Sequence, residues 1–145
     1  MKRKLSFILM IITFFLTGCE INTTSSVIGD IPFEVVTTRS IENEAVLRWY
    51  ERSRKEEGAF KFDDEEYTYI LISAGERRTG GYSLNTMSIT GDNKHLNVKA
   101  KLIEPLPSSM VVQVITYPSQ LVRIEKDNRE VVLKELIRER RQLGS

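Results

Sequence analysis

The chain of 145 residues predicts an α+β domain: a mainly antiparallel sheet of about five to seven short strands, curled or sandwiched, with one helix near each end. Three observations carry this. Between residues 31 and 125, β-branched and aromatic residues gather in short runs separated by Gly, Pro, Asn and Asp, which is strand-and-turn punctuation. Two stretches, Ser40–Glu57 and Arg129–Arg141, instead place apolar residues at the helical period. Residues 31–145 are together one domain's length of chain, so a single core is expected.

The N-terminus is of a different kind. Lys2, Arg3 and Lys4 precede the apolar run Leu5–Leu16, which ends in Leu16-Thr17-Gly18-Cys19. A basic start, a short apolar segment and small residues before a cleavage point are the pattern of a signal peptide, here residues 1–18. The Leu-Thr-Gly-Cys ending resembles the lipobox of bacterial lipoproteins, which implies that Cys19 is lipidated and becomes the first mature residue. The expected location is the extracytoplasmic face of the cell membrane. Cys19 is the only cysteine, so no intramolecular disulfide is available and stability must come from the core. Each buried CH₂ of a lipid chain contributes about 0.8 kcal/mol, so the several chains of a bacterial lipoprotein would anchor it firmly.

Without Lys2, Arg3 and Lys4, 18 basic residues face 20 acidic ones, a net charge of about −2. A near-neutral chain lacks the basic stripe that nucleic-acid binding requires. Residues 19–30, rich in Asn, Thr and Ser, read as a tether. Its typical reach is about 20 Å, so the domain stays near the membrane.

From there the elements follow in order. Ile31–Thr38 is a first strand, with Pro32 at its start, where a missing N–H does least harm. Ser40 is placed to cap a helix from Ile41, with Glu42 and Glu44 in its first turn and Gly58 at its end. Ala45, Val46, Trp49 and Tyr50 share one face of it, so Trp49 is expected to pack on the sheet; the mixed charges of Arg48–Glu57 form a solvated face. Ala59–Phe62 is a short edge strand, and Asp63-Asp64-Glu65-Glu66 an acidic turn that lacks the alternating ligands and central glycine of a calcium loop.

Tyr67–Ala74 is apolar on both parities beyond Tyr69, the mark of a central strand covered on both faces. Gly75-Glu76-Arg77-Arg78-Thr79-Gly80-Gly81-Tyr82 then forms a loop whose glycines suggest positive φ or close backbone approach. A less buried strand, Tyr82–Thr90, a turn at Gly91–Lys94 and the alternating strand Leu96–Leu102 make an antiparallel pair. Glu104–Ser109, with Pro105 and Pro107, is a rigid connector. Met110–Tyr117 reads as a second strand buried on both sides, and Leu121–Glu125 as the last strand. In Arg129–Arg141, Leu133, Leu136, Ile137 and the stem of Arg140 fall at i, i+3, i+4 and i+7, predicting a C-terminal helix whose basic last turn suits the helix dipole.

The loop Gly75–Tyr82, the proline-bounded Glu104-Pro105-Leu106-Pro107, and Gln113-Val114-Ile115-Thr116-Tyr117-Pro118 leading into Leu121-Val122-Arg123-Ile124 together resemble the PrcB C-terminal family, named for a subunit that stabilises a bacterial surface protease complex. The resemblance covers about residues 67–126 and implies a small exported β domain that acts by binding a partner, with no catalytic residues of its own. Gly75, Arg77, Arg78, Thr79, Gly80, Gly81 and Tyr82 are the candidate partner-binding residues. Gly80-Gly81 would let the backbone turn, Thr79 could bond loop amides, and Arg77 or Arg78 could reach a carboxylate. A purely conformational role for the loop stands beside the binding one. A similar Thr-Gly-Tyr loop also occurs in chagasin-type inhibitors of cysteine proteases, although the other loops of that family are not recognisable here.

Other chemistry finds little support. His95 is the only histidine and has no partner at zinc-ligand spacing, no Gly-x-Ser-x-Gly elbow occurs, and Thr79-Gly80-Gly81 lacks the Lys-Ser/Thr of a phosphate loop. No enzyme activity, cofactor or metal is expected. The sequence thus reads as a monomeric lipid-anchored binding subunit that docks on an envelope protein, a protease among the candidates, and stabilises or regulates it. A chagasin-like protease inhibitor and a structural envelope lipoprotein are the alternatives. Were Leu96–Leu102 at a sheet edge, strand addition would give a second docking route.

Overall fold

A computed structural model describes residues 29–141, so the signal peptide, Cys19 and most of the tether lie outside the described residues. Eight strands form two four-stranded sheets. They are β1 (Gly29–Asp30), β2 (Glu34–Val36), β3 (Glu57–Asp63), β4 (Tyr67–Ala74), β5 (Ser83–Gly91), β6 (His95–Glu104), β7 (Ser119–Glu125) and β8 (Glu130–Arg140). The first sheet has the order β1-β5-β6-β8 and the second β2-β7-β4-β3. All pairs are antiparallel except β6 and β8.

The sheets face each other across one core. Ile70, Ile72 and Ala74 of β4 and Val122 and Ile124 of β7 meet Leu84 and Ile89 of β5 and Leu96, Val98, Ala100 and Leu102 of β6. The outer face of the second sheet carries a second apolar cluster, because β4 is apolar on both parities: Tyr69 and Leu71 pack with Leu121, Val36, Ile41 and Val46. Helix α1 (Glu44–Ser53) supplies this cover, and Trp49 sits half-buried against Phe62 of β3 with ring centroids 5.4 Å apart. The outer face of the first sheet is wet, with Lys99 and Lys101 of β6 paired to Glu135 and Glu139 of β8. The sandwiched architecture, the central β4, the edge strand β3 and the β5–β6 hairpin agree with the sequence reading.

Several expectations are corrected. The C-terminal segment is a strand, not a helix: β8 runs parallel to β6 with a register shift at Lys134, between the pairs Val98–Leu133 and Lys99–Glu135. That one extra residue puts Val131, Leu133 and then Leu136 against the core, so a spacing of three interrupts the spacing of two and imitates helical periodicity. Met110–Tyr117 is not a buried strand but part of the long loop between β6 and β7. Leu96–Leu102 alternates as expected, yet β6 is an interior strand flanked by β5 and β8, which removes it as a site of strand addition. The helix is shorter than Ser40–Glu57: Ser40 closes a 3₁₀ turn by donating to the Thr37 carbonyl at 2.8 Å, while Asn43 caps α1 by accepting from the Ala45 N–H at 2.9 Å. Gly58 lies inside β3. The first strand shrinks to Glu34–Val36, and Gly29–Asp30, at the end of the stretch read as a tether, pair with Gly91 and Thr90.

One end of the sandwich is pinned by a polar knot. Arg129 grips Asp127 with its guanidinium, at 2.6 Å for the shortest contact, and donates to the Asp92 carbonyl at 2.9 Å. Lys61 donates to the backbone carbonyls of Asp127 and Arg129, and Thr68 accepts from the Asp127 N–H. The acidic turn joins this end: the Asp64 carboxylate accepts from the N–H groups of Glu66 and Tyr67 and so closes the β3–β4 turn.

Candidate functional site

Two loops meet at the opposite end. The first is the β4–β5 connection, residues 75–82; the second is the β6–β7 connection, residues 105–118, a flap of fourteen residues bounded by Pro105 and Pro118. No residue in the flap is charged. Prolines at its base and near its end keep it out of either sheet. Its backbone instead pairs with the glycine loop: Arg77 and Thr116 exchange two N–H to carbonyl bonds of 2.8 Å, Gly80 donates to the Val112 carbonyl at 2.9 Å, and the Thr116 hydroxyl donates to the Thr79 carbonyl at 2.8 Å.

The glycines differ in purpose. Gly75 (φ +70°) is buried, and a Cβ there would lie 3.0 Å from the Glu57 nitrogen; Gly81 (φ +88°) would place a Cβ 3.0 Å from Val111 and 3.1 Å from Pro105. Both need the left-handed region and the absence of a side chain. Gly80 has no positive φ, and a Cβ there would meet only ordinary contact at 3.7 Å.

Arg77 and Arg78 divide. The Arg77 side chain turns inward, bonds Glu57 at 3.1 Å and lies over the Tyr82 ring at 5.9 Å, so it braces the loop. Glu57 also receives Arg138 of β8 at 3.0 Å, which joins the free edges of β3 and β8. Arg78 is exposed, and among the described residues it forms no ion pair. Thr79 acts through its carbonyl, and Tyr82 is partly buried against the core. Behind the flap, Arg54 at the end of α1 lies between Tyr50 and Tyr117, 5.6 and 5.5 Å from their ring centroids, and Tyr117 donates to Glu76 at 3.4 Å. The glycine loop is thus the frame of this end.

What the frame presents is apolar. Met110 is fully exposed, Val112 is 71% exposed and Ile115 56%, with Val114 beside them. Exposed apolar residues scattered singly are ordinary, whereas four within six positions, on an uncharged flap held by hydrogen bonds, make a surface suited to burial by another molecule. The sequence reading missed these residues because a run apolar on both parities looks like an interior strand. Prolines on both sides were the signal against that.

The remaining polar clusters are structural. The Asp92 carboxylate accepts from the N–H groups of Lys94 and His95 at 2.8 Å and from the Asn97 amide at 3.0 Å, which holds it well below the usual carboxylate range. His95 lies 3.4 Å from it. Among the described residues no group of three His, Cys, Asp or Glu side chains is arranged to hold a metal ion.

Residues 68–125, from β4 to the end of β7, match the family model described as PrcB C-terminal. The matched segment contains both loops of this end and leaves out α1, β3 and β8. No curated protein and no solved structure matches the chain.

Proposed function

We propose, from the premise that the chain carries a PrcB C-terminal-like domain over residues 68–125, that it is a membrane-anchored accessory lipoprotein whose flap docks on an envelope protein, a protease being the first candidate. The observation that carries this reading is the uncharged flap 105–118, which shows Met110, Val112, Val114 and Ile115 to solvent although the glycine loop holds it in place. A merely structural loop has no reason to spend four apolar side chains on water. A family named for a subunit that stabilises a protease complex, and the lipobox-like Leu16-Thr17-Gly18-Cys19, support the partner class and the anchoring.

The test is co-purification of the full chain from its own cells against a Val112→Ser/Ile115→Ser variant. Both residues are surface-exposed, so thermal stability should stay within about 0.5 kcal/mol of the parent. Selective loss of one envelope protein supports docking; identical catches from the two chains sink it. If the partner is a protease, its turnover with equimolar chain separates the roles. Preserved or prolonged activity marks a stabilising subunit, and loss of activity marks an inhibitor.

A further inference from the structure

The two ends of the sandwich are not equivalent, and the chain order decides which one faces the membrane. Gly29, where the described chain begins, pairs with Gly91 at the far end of β5, whereas the flap and glycine loop lie before Ser83 at its near end. The eight steps from Ser83 to Gly91 along β5 separate the two, which at about 3.3 Å per step is roughly 26 Å. Only ten steps of chain lead from Cys19 to Gly29; fully extended they span about 33–36 Å, and their typical reach, at about 5–6 Å times the square root of the residue count, is under about 20 Å. Bringing the flap to a bilayer that holds Cys19 would require that segment to stretch well beyond its typical reach, along the length of β5.

The flap end also has a charge signature. β8 runs parallel to β6, so its C-terminal end arrives there, and the Arg141 N–H donates to the Glu104 carbonyl at 2.9 Å, next to Pro105. Arg140 and Arg141 therefore join Arg78 around the flap, all three exposed and, among the described residues, in no ion pair, so that they outnumber Glu76, which accepts from the Tyr117 hydroxyl, and Glu104, the two carboxylates of this end that also lack one. Arg77 and Arg138 share the single carboxylate of Glu57, and Arg54, behind the flap, pairs with Glu51.

Building on the docking role above, we infer that the flap fits a protein surface held clear of the membrane: an apolar cleft that takes Val112 and Ile115, rimmed by carboxylates that meet Arg78, Arg140 and Arg141. A lipid surface and a second copy of this chain are the occupants disfavoured. The first demands a largely extended segment between Cys19 and Gly29, and the second would bring the surplus arginines of each copy together.

The experiment places a diazirine-bearing residue at Val112, at Asn93 by the tether end, or at Val132 on the open face of β8, each in the full-length lipidated chain in its own cells. Expected are a protein adduct from Val112, whose mapped peptide combines apolar residues with Asp or Glu, and a lipid adduct from Asn93. The Val112 adduct should fall at least tenfold in an Arg78→Glu/Arg140→Glu/Arg141→Glu variant whose melting temperature is unchanged. An adduct from Val112 to lipid, to a second copy, or to a protein at a site indifferent to the charge reversal overturns the inference. Protein adducts from Val132 alone would keep a docking role but overturn the end assigned here, and no protein adduct from any position would sink both.

Discussion

Gly80 and Gly81 are neighbours with different reasons to lack a side chain. At Gly81 an alanine would have to hold φ near +88° and press its Cβ to 3.0 Å from Val111, so Gly81→Ala should cost about 1–3 kcal/mol in thermal or urea unfolding. Gly80→Ala should stay within about 0.5 kcal/mol, because its Cβ meets only van der Waals contact. A paired substitution at both glycines would therefore confuse a folding defect with a binding one; Val112 and Ile115 give the cleaner test. Acid stability is also set by single residues. Backbone N–H groups of Lys94 and His95 and the Asn97 amide hold Asp92 low, and the Arg129 guanidinium holds Asp127 low. Both folded values lie below the unfolded carboxylate value of about 3.9, so their contribution is full above that pH and is lost as pH falls through the folded values. Urea midpoints should hold down to about pH 5 and then decline, and Asp92→Ala should shrink the decline below about pH 4.

Among the elements, α1 offers a direct comparison of two caps. Asn43→Ala removes the bond to the Ala45 N–H and should cost about 0.5–2 kcal/mol, whereas Ser40→Ala should be near neutral; chemical denaturation of the two variants distinguishes them. Both residues are good caps by type, and only the backbone path between them decides, which is why the helix was legible and its start was not. Strands β4 to β7 were legible because their alternation or uninterrupted apolar runs reflect one or two buried faces directly. β8 was not, because the extra residue at Lys134 shifts its parity midway, and a parallel partner leaves no hairpin turn to announce it. At the candidate site, the glycine loop and the prolines were visible as punctuation. The exposure of Met110, Val112, Val114 and Ile115 was hidden, since composition says a residue is apolar without saying what covers it.

For the whole molecule, the two apolar clusters imply unequal sensitivity. The inter-sheet core draws on both sheets, and Leu102 within it is fully buried, so Leu102→Ala should cost about 2–5 kcal/mol in urea unfolding. The Arg77–Glu57–Arg138 group at the meeting edges is partly exposed, and Glu57→Gln should cost less than about 1 kcal/mol. The joining of β6 to β8 has another consequence. These two strands are separated in the chain by the flap and all of β7, which belongs to the other sheet. Until the eleven-residue strand β8 is in place, β6 has one partner and an unprotected side. A nascent chain halted before Glu130 would bare that side along ten residues, so a chaperone that shelters strand edges should hold it and let go once β8 is added.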